Sequence, residues 1–343
     1  MSKFILSKSK VLEQYKKVEQ LADTVSYSSK TNAHVTKILE QESNCLFSVH
    51  FKNELKHIQD KSRVLFLAQA WNKEEIKELV QMQIRNFVVD NIPDLEILLS
   101  FLEENTDIKI NLLLRLKLKE NSIRTERYFV FGISSEIINK KVKELRNNSQ
   151  IEKLGVHFHR KTQNMSEWNL QYEVSQILEE EVLEMIDIMN IGGGLPSEYA
   201  NTNVKVIESI FNKIKEFKSW LNLKNIQLMI EPGRFISAPA VKLITKVLRI
   251  YENNIIVNAS VYNSDMDALI VPVKLKVENE VDKNNGQPYV IKGVTPCSMD
   301  LFRYRVYLKD VQEGDELIFL NAGAYNFTTN FCDLDEIETE VVE

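Results

Sequence analysis

Several residues suited to cofactor chemistry directly follow short apolar runs of the 343-residue chain. They are Lys30, Arg115, His159, Gly192–Gly194 and Glu231. A lysine amine can form an imine with an aldehyde, and an acid can hold a protonated ring nitrogen. Glycine N–H groups and an arginine such as Arg234 can hold a phosphate. The set therefore indicates an aldehyde cofactor that carries a phosphate group.

Each of these residues also has a common structural explanation. A lysine is usually on the surface, three glycines can form a plain turn, and a histidine can be a satisfied core residue. Glu231 could form a structural ion pair with Arg234. Their joint position at the ends of predicted strands favours a shared site. A lysine, an acid, a phosphate loop and the flat imidazole of His159 together suit pyridoxal 5′-phosphate (PLP).

Eight β-rich segments alternate with helical patterns between residues 25 and 231, which predicts a parallel sheet covered on both faces. Eight such repeats in roughly 200 residues predict a (β/α)₈ TIM-like barrel, with its active site at the carboxyl ends of the strands. The predicted strands are Val25–Ser29, Cys45–Val49, Val64–Leu67, Phe87–Val89, Ile110–Leu116, Leu154–Phe158, Ile186–Ile191 and Ile226–Ile230. Helices are predicted between them, including one over Trp168–Glu184.

After Arg234 the chain is mostly β-rich, which predicts a second, C-terminal β domain. Its predicted strands are Val241–Arg249, Ile255–Val261, Ala268–Val277, Pro288–Lys292, Arg303–Leu308 and Glu316–Leu320, with Phe4–Leu6 as an added strand. The predicted fold class is therefore α/β. The predicted domains are a PLP-binding barrel over 20–235 and a β domain formed by 1–19 plus 236–343.

Composition argues against several other classes of protein. The net charge is −6 and no basic track is present, so no nucleic-acid partner is predicted. No run of eighteen apolar residues exists, so no membrane span is expected. The start lacks the apolar core of a signal peptide, and the three cysteines have no paired spacing, which favours the cytoplasm. The five histidines do not predict a metal site.

Six motifs, in the same order along the chain, resemble those of the ornithine/diaminopimelate/arginine decarboxylases, which are PLP enzymes with a fold-type III, alanine-racemase-like barrel. The family patterns are YAVKxN, GLHFH, NIGGGFP, EPGR, PTCDSxD and GAGAY. The corresponding segments are Ser26–Asn32, Gly155–His159, Asn190–Pro196, Glu231–Arg234, Thr295–Asp300 and Ala322–Tyr325. The resemblance spans about residues 4 to 331, and the combination of motifs is specific to this family.

The resemblance implies decarboxylation of an amino acid through an external aldimine, in a homodimer whose active sites are shared. It implies that Lys30 forms the Schiff base and that Cys297, from the partner subunit, protonates the carbon left after carbon dioxide departs. It also implies a set of cofactor-binding residues besides Lys30. These are Arg115 near the ring oxygen, His159 stacked on the ring, Glu231 at the ring nitrogen, and Gly193, Gly194, Arg234 and Tyr325 at the phosphate.

This sequence departs from the family pattern at several positions. Lys161 replaces a usual glycine, and Thr162 is predicted to replace a cofactor-binding serine hydroxyl. Ser298 stands where an acid often follows the cysteine, and Val271 replaces an arginine that diaminopimelate-type members use. The predicted substrate-binding residues are therefore Asp265, Asp267, Ser298 and Asp300. These changes favour a diamino acid or a carboxylated, polyamine-like substrate over the standard ones.

Two alternatives are open at this point. One is a PLP racemase or epimerase on the same barrel, against which the retention of Cys297 and Glu231 argues. The other is a non-catalytic family member that regulates a paralogue, against which the retention of Lys30 and Glu231 argues. Bound cofactor separates the enzymes from the regulator, and carbon dioxide release separates the decarboxylase from the racemase.

Overall fold

The computed structural model describes residues 1–118 and 130–343. The chain forms two compact units: a barrel unit of Tyr15–Leu195 and Val206–Gly233, and a second unit of Met1–Gln14, Pro196–Lys205 and Arg234–Glu343. The short segment Pro196–Lys205 belongs to the second unit. One reason is that the backbone N–H of Ala200 donates to the carbonyl of Lys274, at 2.8 Å.

The barrel unit contains a closed, eight-stranded parallel sheet in which the strands follow chain order and the last pairs with the first. Strand β1 (Lys3–Ser7) belongs to the second unit, so the barrel begins at β2. Its strands are β2 (Thr24–Ser28), β3 (Leu46–Val49), β4 (Val64–Ala68), β5 (Asn86–Val89), β6 (Ile110–Arg115), β7 (Ile151–His157), β8 (Ile188–Asn190) and β9 (Gln227–Ile230). The predicted (β/α)₈ barrel is confirmed.

Helices separate these strands, and between β3 and β4 they are two 3₁₀ helices, Lys52–His57 and Lys61–Arg63. The α-helices are α1 (Lys8–Glu19), α2 (Ala33–Glu42), α3 (Lys73–Gln81), α4 (Ile92–Glu104), α5 (Ser135–Leu145), α6 (Leu170–Ile177), α7 (Glu180–Met185) and α8 (Ile207–Asn222). Asparagine side chains cap the first turns of α2, α3 and α4 by accepting backbone N–H groups, as short polar side chains do at this position. Over the described residues, no helix combines the length and apolar character that crossing a membrane requires.

The single helix predicted over Trp168–Glu184 is wrong, because the chain breaks between α6 and α7. Asn139 of α5 explains the break: its amide donates to the carbonyl of Ile177 at 3.0 Å and accepts from the N–H of Glu179 at 3.1 Å. A side chain from another helix thus replaces the backbone hydrogen bonds that a continuous helix would make.

The barrel interior is a packed hydrophobic core. Its central cluster takes one side chain from each of five strands: Leu65, Val88, Leu113, Ile188 and Met229. Because these side chains fill the interior, polar residues must lie at the strand ends, which is the usual arrangement in this fold.

The second unit is built on an eight-stranded mixed sheet, which agrees with the predicted β-rich character. Its strands are β1, β10 (Val241–Tyr251), β11 (Asn254–Val257), β12 (Lys276–Val277), β13 (Gln287–Lys292), β14 (Leu301–Leu308), β15 (Glu316–Leu320) and β16 (Thr339–Val342). Strand β1 pairs antiparallel with β10 and parallel with β16. Three short helices accompany the sheet: α9 (Arg234–Ser237), α10 (Val261–Ser264) and α11 (Asp267–Ile270).

Two predicted strands of this unit are wrong in part. The segment Ala268–Val277 begins in α11 and keeps only β12 as a strand. The segment Ile255–Val261 ends early because Ser260 starts helix α10. The Ser260 hydroxyl accepts the N–H of Tyr262, while Asn263 accepts the N–H of Ser260. This reciprocal capping outweighs the β-branched character of the sequence.

Candidate active site

The carboxyl ends of the barrel strands carry the five predicted groups of the barrel unit. Lys30 lies in a short 3₁₀ turn after β2, and Arg115 is the last residue of β6. His159 lies two residues after β7, the glycine loop follows β8, and Glu231 directly follows β9. Parallel strands in a closed barrel bring their carboxyl ends to one face, so these side chains share one end of the barrel.

The turn that carries Lys30 has a fixed backbone and an accessible amine. Lys30 is exposed, whereas its neighbours Ser29 and Thr31 are buried. The Ser29 hydroxyl lies 3.1 Å from that of Thr36, and Asn32 caps the following helix α2. An imine-forming lysine needs such a rigid backbone and an accessible amine.

Glu231 is a buried carboxylate held by two side chains of the same barrel end. Its Oε2 lies 3.3 Å from Nε2 of His157, and its Oε1 accepts a hydrogen bond from Asn190 at 3.0 Å. Burial alone would raise the pKa of Glu231, but His157, His50 and the Asn190 hydrogen bond hold this pKa at about 2. The group is therefore ionised at neutral pH and can hold a protonated ring nitrogen.

His157 and Asn190 were not predicted as site residues, although the sequence carried a signal for each. His157 and His159 are two residues apart, which in an extended segment places both side chains on the same side. Asn190 directly precedes the glycine loop, and its Oδ1 accepts the N–H of Gly192 at 2.9 Å. One asparagine therefore joins the loop to the buried acid.

The glycine loop requires glycine and also orients His159. Gly192 and Gly194 have φ values of 65° and 105°, a region that side chains disfavour. The N–H of Gly193 donates to Nδ1 of His159, at 3.3 Å, so that nitrogen must be unprotonated. Burial, followed by the charges of His157, Arg115 and Lys30, lowers the pKa of His159 to about 4. A neutral, oriented imidazole results.

Arg115 and Lys161 each have an acidic partner in the barrel unit. Arg115 Nη1 donates to Asp90 Oδ1 at 2.9 Å, and its guanidinium lies over the ring of Phe131. The Lys161 ammonium pairs with Glu167 at 2.9 Å. Thr162 lies beside Lys161 in the turn after β7, and its predicted contact with the cofactor stays a prediction.

His50 is a further titratable group at this end of the barrel, directly after β3. Burial, followed by the charge of Lys30, lowers the pKa of His50 to about 3, so its imidazole is neutral at neutral pH. Its backbone N–H donates to Glu54 Oε1 at 2.9 Å. His50 lies outside the six motifs and was therefore not predicted as a site residue.

The second unit contains the other predicted phosphate ligands, Arg234 and Tyr325. Arg234 is buried, and Asp267 binds its guanidinium through both carboxylate oxygens. The same guanidinium donates to the Tyr199 hydroxyl at 2.8 Å and lies 5.3 Å from the centre of the Tyr325 ring. The guanidinium of Arg234 therefore forms its ion pair with Asp267 inside the second unit.

Among the predicted substrate acids, Asp265 and Asp300 differ sharply. Asp265 is fully buried, and neither of its carboxylate oxygens has a hydrogen-bond partner among the described residues. Burial and the neighbouring Asp267 raise the pKa of Asp265 well above its usual value. The Asp300 carboxylate instead accepts hydrogen bonds from the N–H of Val261 and from the N–H and hydroxyl of Thr295.

Cys297 and Ser298 lie in the loop before β14. Cys297 is partly exposed, and its Sγ lies 3.2 Å from the Tyr262 hydroxyl. Ser298 is exposed, and its role in substrate binding stays a prediction.

The barrel end fits PLP. Lys30 supplies an accessible amine, Glu231 an ionised carboxylate and His159 a neutral flat ring. When bound, PLP supplies an aldehyde for the imine and a ring system that takes up an electron pair. The chain's own part is to provide the amine, to keep a negative charge ready for the ring nitrogen, and to hold the imidazole in a fixed orientation.

This fold and this site define a PLP enzyme built on a (β/α)₈ barrel. The family model described as pyridoxal-dependent decarboxylase, pyridoxal binding domain, matches residues 8–238, and the chain belongs to this family. The protein is therefore a PLP-dependent decarboxylase.

Individual relatives agree with this assignment. The chain is 24% identical over 331 residues to a diaminopimelate decarboxylase of Campylobacter jejuni, covering 89% of this chain and 80% of that protein. It is 22% identical over 342 residues to a 2-[(L-alanin-3-ylcarbamoyl)methyl]-2-hydroxybutanedioate decarboxylase of Staphylococcus aureus, covering 90% and 84%. The structure of a diaminopimelate decarboxylase from Methanocaldococcus jannaschii has the same fold, with a TM-score of 0.85 at 22% identity, covering 99% and 86%.

Proposed function

We propose that the protein removes the α-carboxylate of a diamino acid, with Lys30 as the imine-forming residue and Glu231 as the partner of the cofactor's ring nitrogen. The buried Glu231 carboxylate, held by His157 and Asn190 at the same barrel end as Lys30, carries this proposal. A carboxylate there keeps the ring nitrogen protonated, and a protonated ring takes up electrons best. Arg115, Thr162, His159, Gly193, Gly194, Arg234 and Tyr325 are the other proposed cofactor ligands.

The substrate is proposed to be a diamino acid without a second carboxylate at the far end. Val271 offers no charge for such a group, and Arg234 already has Asp267 as its counter-ion. Of the predicted amine partners, Asp267 is occupied by Arg234, and Asp300 accepts hydrogen bonds from Val261 of α10 and from Thr295. Asp265, whose carboxyl is unpartnered among the described residues, is the proposed partner of the distal amine, because an ammonium group beside it would favour the ionised form that burial and Asp267 disfavour. Ser298 is the proposed further polar contact.

The protein is further proposed to act as a homodimer in which Cys297 of one copy serves the site of the other. This proposal comes from the family resemblance and from the partial exposure of the Cys297 thiol. The cytoplasmic location predicted from the three cysteines also stays a prediction.

The absorption spectrum of the purified protein with PLP tests the central proposal. An imine band near the visible edge should be present in the native protein and absent in Lys30→Ala, with decarboxylation reduced at least about a thousandfold. Lys161→Ala is the matched control, because this lysine pairs with Glu167, and it should keep the band. Absence of the band in the native protein would contradict a catalytic role.

Carbon dioxide release over a panel of diamino acids and carboxylated polyamines tests the substrate. Asp265→Asn should raise KM for substrates with a distal amine more than it changes kcat. An equal KM for the two proteins would remove Asp265 from the site.

Subunit mixing tests the dimer. Cys297→Ala and Lys30→Ala chains, each weakly active alone, should regain part of the activity when mixed under conditions that exchange subunits. A mixture no more active than its components would exclude a shared site.

A further inference from the structure

We infer that Tyr262 is a positioning residue for Cys297: its hydroxyl holds the thiol in place and stabilises the thiolate that remains after proton donation. The inference rests on the proposed role of Cys297 as the proton donor of the reaction. Tyr262 is not part of the family motifs found in the sequence. Its assignment comes from the geometry of the second unit alone.

The hydroxyl of Tyr262 and the sulfur of Cys297 are 3.2 Å apart. The tyrosine ring stacks on Phe331 with centroids 3.8 Å apart and an angle of 19° between the planes. The backbone carbonyl of Tyr262 accepts the N–H and the hydroxyl of Thr329, each at 3.0 Å. The ring is therefore fixed on one face and at its backbone, so its hydroxyl has a defined position.

The loop that carries Cys297 is fixed to the same helix by Asp300. The Asp300 carboxylate accepts the N–H of Val261, the residue before Tyr262, at 2.9 Å, and both donors of Thr295. The backbone N–H of Asp300 donates to the carbonyl of Cys297 at 3.0 Å. One buried acid thus sets the distance between the tyrosine and the cysteine.

A glycine makes room for this acid. A Cβ atom at Gly293 would lie 2.0 Å from Oδ1 of Asp300, a distance that no side chain tolerates. One packed cluster is therefore formed by Gly293, Asp300 and the start of helix α10 at Val261. The contact between the Tyr262 hydroxyl and the Cys297 sulfur results from this cluster and is not a chance surface contact.

The chemistry of the pair suits a proton donor. The Sγ–H bond breaks as its proton moves to the carbon that has lost carbon dioxide, and the electron pair of that bond stays on sulfur. The Tyr262 O–H then donates a hydrogen bond to the thiolate, which a solvent proton later converts back to thiol. The same hydrogen bond, with help from the backbone at Met299, lowers the pKa of Cys297, and it raises the pKa of Tyr262 to about 12.

Alkylation of Cys297 by iodoacetamide tests the inference without any need for activity. The rate is measured across pH in the native protein and in Tyr262→Phe, with the Cys297 peptide resolved by mass spectrometry. Because only the thiolate reacts, removal of the hydroxyl should raise the apparent thiol pKa and slow alkylation at neutral pH roughly three- to tenfold. Tyr304→Phe, which alters an exposed tyrosine of β14, should change neither value.

An unchanged alkylation profile in Tyr262→Phe would overturn the inference. The failure of the proposed function gives a different result: the native protein would then release no carbon dioxide, whatever the alkylation shows. If only the proton-donor role of Cys297 fails, Cys297→Ala would decarboxylate at the native rate. If Cys297 donates the proton and Tyr262 positions it, Tyr262→Phe should lower kcat with little change in KM and should shift the pH profile of kcat. A purely structural tyrosine would leave that profile in place.

Discussion

The polar residues of the barrel end and those of the second unit are arranged in opposite ways. At the barrel end, Lys30 is exposed and Glu231 holds its charge through a histidine and an asparagine. In the second unit, Arg234 and Asp267 neutralise each other, and Asp300 accepts hydrogen bonds from Thr295 and from Val261. The first arrangement leaves groups ready for a ligand, whereas the second satisfies most of its groups internally.

The difference shows that a family motif places a residue without fixing its partners. Arg234 lies in a motif that the resemblance connects with phosphate, yet its guanidinium already has an anionic partner in the same unit. A phosphate must therefore compete with Asp267 or share the arginine with it. At the barrel end each carboxylate oxygen of Glu231 has one side-chain partner, His157 or Asn190, and keeps a further lone pair that can accept a protonated ring nitrogen.

The strongest test of this comparison is Asp267→Asn. Removal of one partner of a buried ion pair leaves an unpaired charge, and we expect a loss of about 3–5 kcal/mol in the free energy of unfolding without phosphate. Urea unfolding measures the loss, and inorganic phosphate should restore part of it. Glu278→Gln, which breaks an exposed pair with Lys242, is the control and should cost less than about 1 kcal/mol. Equal losses would show that Arg234 does not depend on Asp267.

The second test addresses the barrel end. Glu231→Gln keeps the shape of the side chain but removes the charge, so the decarboxylation rate should fall about 10²–10³-fold. The imine band of Lys30 should persist, because the amine is unaffected. Glu216→Gln, on the exposed face of α8, should be neutral. A native rate for Glu231→Gln would mean that the barrel carboxylate has only a structural role.

The smallest effect concerns His159 and pH. Because burial lowers its pKa from the usual 6.5 to about 4, the unfolded chain takes up a proton before the folded one does as pH falls. The contribution of the neutral imidazole to the free energy of unfolding is therefore fully present above pH 6.5. It is lost as pH falls towards 4, by up to about 3 kcal/mol.

Unfolding of the cofactor-free His159→Gln variant across this pH range measures that contribution. The variant should show a shallower loss of stability than the native protein, and His34→Gln, exposed on α2, should match the native profile. Identical slopes for His159→Gln and the native protein would show that the imidazole is already hydrated.

The barrel could be predicted almost completely because its signals are local. Short apolar runs mark every strand, and a topological rule places Lys30, His159 and Glu231 at one end. The second unit was harder to predict from the sequence, because its elements depend on side chains that are distant along the chain. The capping by Ser260 and Asn263 replaced a predicted strand end, and no local pattern shows that Asp267 pairs with Arg234.

The same limit explains two further misses. Asn139 separates α6 from α7 from about forty positions earlier in the chain, so the helix pattern alone could not reveal the break. Tyr262 reaches Cys297 only because the loop and helix are joined by Asp300. Sequence motifs identified the cysteine, but its neighbour depends on the packing of the second unit.

The pairing of β1 with β16 sets an order on folding during translation. Phe4 pairs with Thr339, so this contact closes a loop of more than 330 residues. The ribosome releases all barrel strands, which end at Ile230, well before residue 339 exists. Strand β1 therefore stays unpaired while the barrel forms. It pairs first with β10 and last with β16. Nascent chains of this protein should thus need protection of the unpaired edge of β1 for much of their synthesis.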